Sequence, residues 1–150
     1  MEGSLQKIIS YDGGISVAAC WGVSPYSHED DAARAVYASF NIKRKIQLMA
    51  SSISDVEFEL PIHIGITTGN VLMGIIGNDG GRKEIVILGE SVERAFLFMQ
   101  AAMKQYGKIY VDYNTKSDAG AFLDFKYFEH AEFANKYVNL PIFEPVNPFA

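Results

Sequence analysis

The sequence has little cysteine, no long apolar run and no excess of basic charge. Its single cysteine, Cys20, cannot form an internal disulfide and lies in an apolar run, which is typical of a buried thiol in a reducing compartment. No apolar run approaches the roughly 20 residues that a membrane helix needs, and the first residues lack the layout of a signal peptide. The net charge of -5 argues against a nucleic-acid partner. We therefore expect a cytoplasmic chain without a membrane segment.

Length and apolar content indicate one globular domain. A chain of 150 residues with 49% hydrophobic content can bury a core without disulfides or a structural metal. The sequence contains no internal repeat and no low-complexity linker. Residues 1–150 are therefore predicted to form a single domain.

Alternating strand and helix periods predict an α+β fold, with a mostly antiparallel sheet and helices on one face. Gly69-Asn70 is expected to turn two of the strands into a hairpin, and Gly107 to end the second helix. The predicted strands are Leu5–Tyr11, Ile15–Trp21, Ile62–Thr68, Val71–Ile76, Glu84–Leu88, Lys108–Asp112, Phe122–Glu129, Phe133–Val138 and Ile142–Val146. The predicted helices are Ser27–Met49 and Ser91–Tyr106, with a short helix or turn at Asn114–Ala119.

Several residues invite a chemical interpretation that the sequence does not favour. The acidic run from His28 to Asp31 is better explained by the start of a helix than by a metal site. His63 has no second ligand nearby and is interpreted as structural. Gly74 and Gly77 are not followed by the Lys-Ser/Thr pair of a P-loop. Glycines within a strand more often indicate a bulge or the close approach of another chain.

The segment Ile62–Met99, IHIGITTGNVLMGIIGNDGGRKEIVILGESVERAFLFM, resembles the catalytic domain of class III nucleotidyl cyclases, which make cyclic AMP or cyclic GMP. The run Lys7–Asp12, its hairpin and the following CWGVSPYSHEDDAARAV are most similar to the second cyclase half of bicarbonate-responsive soluble adenylyl cyclases. The resemblance covers about Lys7 to Phe128 and implies a ferredoxin-like, cyclase-type sheet. The opening strand of the family, which carries a metal-binding Asp, would precede Lys7. We therefore expect the opening strand to be missing and the domain to be N-terminally incomplete.

The resemblance also implies where the family's functional residues would fall. Family members use a Lys with an Asp or Thr to read the purine, and an Asn and an Arg on the following helix to steady the ribose and the charge at phosphorus. Lys7 matches the purine-reading Lys, and Val86 stands at its partner position. Glu93 occupies the Asn position and Leu97 the Arg position. Arg94 is about 100° around the helix from Glu93, so it cannot substitute without a change of register.

The metal carboxylates of the family are also missing from their expected positions. The first would lie on the opening strand, and the second position falls on Ile15. Asp12 lies three residues earlier and is a weak metal candidate, which we interpret as a turn residue.

Two hypotheses follow from these matches and mismatches. In the first, the chain is a degenerate, non-catalytic or regulatory half that pairs with a second cyclase domain, in the same or a different chain. It would then need no cofactor of its own and would be inactive alone. In the alternative, an upstream segment and a partner complete a catalytic half, and the paired site uses Mg²⁺ and ATP. The sequence does not distinguish ATP from GTP.

Overall fold

The computed structural model describes residues 3–11, 13–53, 60–131 and 139–150, which form eight strands and three helices. The predicted strand Phe133–Val138 lies outside these residues. The strands are β1 (Ser4–Tyr11), β2 (Gly14–Cys20), β3 (Ile64–Ile66), β4 (Leu72–Ile76), β5 (Glu84–Leu88), β6 (Ile109–Val111), β7 (Phe125–Ala131) and β8 (Leu140–Pro145). The helices are α1 (Asp31–Ile53), α2 (Glu90–Lys104) and α3 (Tyr113–Ala119).

The described strands form three sheets. The main sheet has the order β3-β6-β8-β7, while β1-β2 and β4-β5 are separate two-stranded hairpins. All pairings are antiparallel except that between β3 and β6. The predicted α+β class with mostly antiparallel pairing is therefore confirmed.

The helices cover both faces of the main sheet, whereas we expected them on one face. Successive strand residues point to opposite faces, and Tyr110 and Val111 of β6 belong to different core clusters. Val111 packs with Val36 of α1 and with α3. Tyr110 packs with Phe98 of α2. Helical periodicity shows that a helix has an apolar side, but it does not show which sheet face that side covers.

The predicted hairpin between Ile62–Thr68 and Val71–Ile76 is wrong. β3 pairs in parallel with β6, and β4 pairs with β5. The residues after β3 bond to helix ends instead of to β4. Thr67 donates to the Ser91 carbonyl oxygen, and the Thr68 carbonyl oxygen accepts from Asn114 at 3.1 Å.

Both helices differ from their predicted bounds, and α1 continues to Ile53 instead of ending at Met49. α1 begins four residues later than expected, because the Asp31 carboxylate accepts the His28 N–H at 2.7 Å and closes the preceding turn. α2 ends at Lys104, two residues before the predicted Tyr106, and both Tyr106 (φ 54°) and Gly107 (φ 73°) are left-handed. No helix within the described ranges combines the length and the apolar character that crossing a membrane requires.

The buried phenol of Tyr110 provides a test of the core on the α2 side. The side chain is 0% exposed and its hydroxyl has no hydrogen-bond partner among the described residues. Burial, with smaller contributions from Glu144 and Glu129, raises the pKa of Tyr110 to about 12. Tyr110→Phe should therefore raise the free energy of unfolding in urea by about 1 kcal/mol, since it removes an unsatisfied polar group. Tyr110→Ala should lower it by about 3–5 kcal/mol.

Tyr127→Phe is the matched control, because the Tyr127 hydroxyl is exposed and already contacts His130. That variant should change stability by less than about 0.5 kcal/mol. A clear loss of stability in Tyr110→Phe would show that the buried hydroxyl has a partner and would contradict this account.

Candidate functional site

The two purine-site positions lie on hairpins that contact each other. Lys7 is exposed on β1 and pairs with Ala18 of β2, just after a register shift. Val86 is half-buried on β5 and pairs with Gly74 of β4. β1 contacts β5, so the structure brings the strands of Lys7 and Val86 together. Val86 has no polar side-chain atom that could bond a purine amine. The roles of both residues stay predictions.

The positions of the family Asn and Arg lie one turn apart on α2. Glu93 is exposed and Leu97 is half-buried. The side chain of Phe96, beside them, is 53% exposed. This part of α2 therefore presents a carboxylate and apolar side chains where the family pattern implies an amide and a cation.

Arg94 points away from that surface into a polar network. Its guanidinium lies 3.5 Å from an Asp112 carboxylate oxygen, and its side chain is only 19% exposed. It also reaches the Ser91 hydroxyl at 3.4 Å and the Thr68 carbonyl oxygen at 3.5 Å. Moving this cation to the outer side of α2 would leave the nearly buried Asp112 carboxylate without its ion-pair partner, which is costly.

Asp112 is the centre of this network, and sequence reasoning treated it only as a strand end. It caps α3 by accepting the Thr115 N–H at 2.9 Å and the Thr115 hydroxyl at 2.7 Å. Burial raises the pKa of Asp112, while the Thr115 hydrogen bonds and the Arg94 charge oppose that rise. Asp is a preferred residue directly before a helix, and this signal could have identified the capping role.

The described residues contain no cluster of three or more His, Cys, Asp or Glu side chains that could hold a metal ion. The weak metal candidate, Asp12, lies outside the described residues. Ile15, to which the resemblance assigns the second metal position, is exposed on β2, and its side chain offers no ligand atom. Near the acidic run, Asp30 accepts a 2.7 Å hydrogen bond from Arg34, which lowers the pKa of Asp30. That ion pair is consistent with the predicted helix-start role.

His63 has the structural role that the sequence suggested. Its Nδ1 accepts the Gly107 N–H at 3.0 Å, and its ring meets the Tyr106 ring edge-on. Burial, and then the charge of Lys43, lower the pKa of His63. The neutral imidazole is therefore the form that holds the end of α2 beside β3.

The glycines of the central segment differ in how closely other atoms approach them. A Cβ on Gly65 would overlap the Ala95 carbonyl oxygen and the Met99 nitrogen. A Cβ on Gly69 would overlap the Ser91 hydroxyl. A Cβ on Gly74 would meet no atom within 4 Å. Gly65 and Gly69 therefore allow the backbone around β3 to approach α2 closely, whereas Gly74 faces open space.

Gly65→Ala and Gly74→Ala form a matched pair that tests this distinction. Gly65→Ala should lower the free energy of unfolding by about 3 kcal/mol, because α2 must move away from β3. Gly74→Ala should leave it unchanged or raise it slightly, since glycine is unfavourable within a strand. Urea unfolding of both variants measures the difference. Equal effects would contradict the close contact between β3 and α2.

Solved cyclase domains are similar to this structure. The adenylyl cyclase CyaB from P. aeruginosa matches with a TM-score of 0.79 and 19% identity, covering 97% of this chain and 72% of that chain. The guanylate cyclase domain of RhGC from Catenaria anguillulae, in complex with GTP, gives 0.71 and 17%, covering 95% and 72%. The non-canonical dimeric guanylyl cyclase domain of RhoGC from Blastocladiella emersonii gives 0.66 and 16%, covering 95% and 73%.

Neither a family model nor a curated protein matches the sequence. The similarity at these identities shows the fold, which is that of adenylyl and guanylyl cyclase domains. The more specific link to bicarbonate-responsive soluble cyclases stays a prediction.

Proposed function

We propose that this chain is a class III nucleotidyl cyclase homology domain that acts as a non-catalytic or regulatory half in cyclic-nucleotide signalling. The observation that carries the proposal is the orientation of α2. Glu93 is exposed where a neutral donor is needed, Leu97 stands where a cation is needed, and Arg94 is paired with Asp112 in the interior. A carboxylate at the Asn position would repel a triphosphate instead of steadying it.

The residues present do not fit the two metal ions and the nucleoside triphosphate of the family. The Ile15 side chain lacks a ligand atom, the Val86 side chain has no polar atom to bond a purine, and Glu93 adds negative charge. Removal of one preorganised charge-stabilising group typically costs about 10²–10³ in rate, so the combined changes should leave little activity. This chain alone is therefore expected to catalyse no cyclisation step.

Pairing with a second cyclase domain is supported by the apolar hairpins. Leu72 and Ile75 of β4 are three residues apart and therefore point to opposite faces of the strand. Leu72 is nevertheless 70% exposed, and Ile75 is 71% exposed. Apolar side chains exposed on both faces are unusual unless another protein covers them. One structural neighbour is described as a dimeric guanylyl cyclase domain. We define the apolar hairpin surface as Leu5, Ile8, Ile9, Ile15 and Val17 with Leu72, Ile75, Ile76, Ile85 and Leu88, which are all exposed.

The alternative, a catalytic half completed by another segment and a partner, has one observation in its favour. β2 and β3 each have a strand partner on one edge only, within the described part of the chain. Both strands contact α2 near Met99, β2 through Ser16 and β3 through Gly65. A further strand between them would extend the main sheet and could bring a carboxylate. Asp12 and Lys7 would then belong to the site.

Pairing can be tested with charged substitutions on the apolar hairpin surface. Leu72→Lys combined with Ile75→Lys should weaken association with a metal-bearing cyclase domain by roughly 100-fold or more, because each buried Leu or Ile contributes about 1.5–3 kcal/mol. Light scattering after gel filtration and sedimentation equilibrium measure the complex, and self-association of this chain is measured in the same way.

The control for that test is Leu48→Lys combined with Met49→Lys. These two residues are also exposed and apolar, but they lie on α1. If the control weakens association equally, the proposed surface is wrong. If the native assembly contains neither a self-associated form nor any cyclase-like partner, the pairing proposal fails.

Activity gives a separate test. The unmodified chain should make no detectable cyclic AMP or cyclic GMP with Mg²⁺ or Mn²⁺, and should bind ATP weakly or not at all. Glu93→Asn combined with Leu97→Arg, paired with a metal-bearing half, should raise the rate by about 100-fold or more, since each restored group is worth about that much. Glu93→Asn combined with Gln100→Arg is the control, because it adds the cation at an exposed position almost one turn further along α2.

The alternative predicts the opposite result. Robust turnover by the unmodified chain, lost on substitution of Lys7 or Asp12, would show that the catalytic hypothesis is right and that Asp12 has more than a turn role.

A further inference from the structure

A cavity of about 410 Å³ lies where α1, the end of α2 and the C-terminal segment meet. This volume is within the range of small-molecule sites. The cavity is made by one chain and involves none of the positions that the cyclase resemblance implies, so it does not depend on the proposed function. Its described lining residues are Phe40, Lys43, Arg44, Gln47, Leu60, Pro61, Ile62, Tyr106, Gly107, Asn147 and Phe149.

The charged side chains among the described lining residues have one sign. Lys43 and Arg44 contribute two cations, and none of the described lining residues is acidic. The Lys43 ammonium donates to the Gly107 carbonyl oxygen. The Arg44 guanidinium lies 5.4 Å from the centre of the Phe149 ring, in cation–π geometry. The guanidinium also donates to the Asn41 side-chain oxygen at 3.3 Å, and its remaining N–H donors suit a carboxylate or a phosphate.

The rest of the wall is apolar and aromatic. Phe40, Tyr106 and Phe149 supply rings, and Leu60, Pro61 and Ile62 supply aliphatic surface. A ligand that fills such a space buries an apolar body while one polar group fixes its orientation. We propose that this cavity binds an organic anion with a planar ring, whose carboxylate or phosphate group pairs with Lys43 and Arg44.

Hydrogen bonds hold the walls in place without a ligand. The Gln47 side-chain oxygen accepts the Leu60 N–H at 3.2 Å, and the Asn147 side-chain oxygen accepts the Phe149 N–H at 2.9 Å. His63 Nδ1 accepts the Gly107 N–H at 3.0 Å. Three backbone segments of the wall are therefore each bonded to a side chain. A cavity with a preformed wall loses less ordering free energy on binding.

Three probes with the same naphthalene ring isolate the contribution of the charged group. The intact chain is titrated with 2-naphthoate, 2-naphthyl phosphate and neutral 2-naphthamide, and NMR follows the Gly107 amide and His63 ring signals. One or both anions should bind at least about tenfold more tightly than the amide, since a charge-assisted hydrogen bond is worth about 1.5–3 kcal/mol. Comparison of the two anions distinguishes a carboxylate ligand from a phosphate ligand. Equal binding of the amide, or no shift with either anion at millimolar concentration, would overturn the proposal.

Variants locate the binding charge. Arg44→Gln should weaken anion binding by about tenfold, and it leaves the Lys43 contact with Gly107 in place. Lys43→Gln should weaken binding further, and its urea unfolding checks that the fold is retained. Lys45→Gln is the matched control, because Lys45 is exposed on the same helix and does not line the cavity. Equal weakening by Lys45→Gln would indicate non-specific charge attraction and overturn the proposal.

One further variant tests whether the chain supplies its own anion. Glu57 and Glu59 precede Leu60 in the sequence and lie outside the described residues. Glu57→Gln combined with Glu59→Gln should leave anion binding within about twofold of the unmodified chain, a difference of less than about 0.5 kcal/mol. Binding that occurs only in this double variant would mean that a carboxylate of the chain occupies the cavity, and would overturn the proposal.

Discussion

The close approach of β3 to α2 is the constraint on which the rest of the structure depends. Gly65 has no side chain, and a Cβ there would overlap the backbone of Ala95 and Met99. Because the two backbones touch, α2 can rotate very little against the main sheet. Phe98 then packs on the α2 face of the sheet beside Tyr110. A side chain at position 65 would move α2 away and open this core.

The candidate site follows from that orientation of α2. With Phe98 beneath the helix, Arg94 lies beside Asp112, while Glu93 remains exposed. Asp112 in turn caps α3 and accepts the Thr68 N–H at 3.3 Å. The only arginine of α2 therefore holds together the ends of β3 and β6 and the start of α3. Its role is structural, so the outer side of α2 has no arginine to offer a phosphate.

Many of the strands and helices could be predicted, because the local periodicity of apolar residues indicates them. The strand Glu84–Leu88 has the predicted bounds, and α2 ends two residues before the predicted Tyr106, ahead of the left-handed Gly107. The incorrect prediction of a hairpin at Gly69-Asn70 shows that local sequence patterns do not determine which strands pair. Thr67 and Thr68 bond to Ser91, Asp112 and Asn114, which lie 24 to 46 residues further along the chain. No pattern within a short window contains those partners, and a glycine next to an asparagine is equally compatible with a bend.

The sequence by itself determined which chemical groups stand at the positions that the cyclase resemblance assigns. Val86, Glu93 and Leu97 lack the required groups in any conformation, because a side chain cannot supply atoms it does not contain. Only the tertiary structure decided which sheet face each helix covers, that Arg94 pairs with Asp112, and that Lys43 and Arg44 meet three aromatic rings around a cavity. Those outcomes depend on contacts between residues far apart in the chain, which residue type and spacing do not encode.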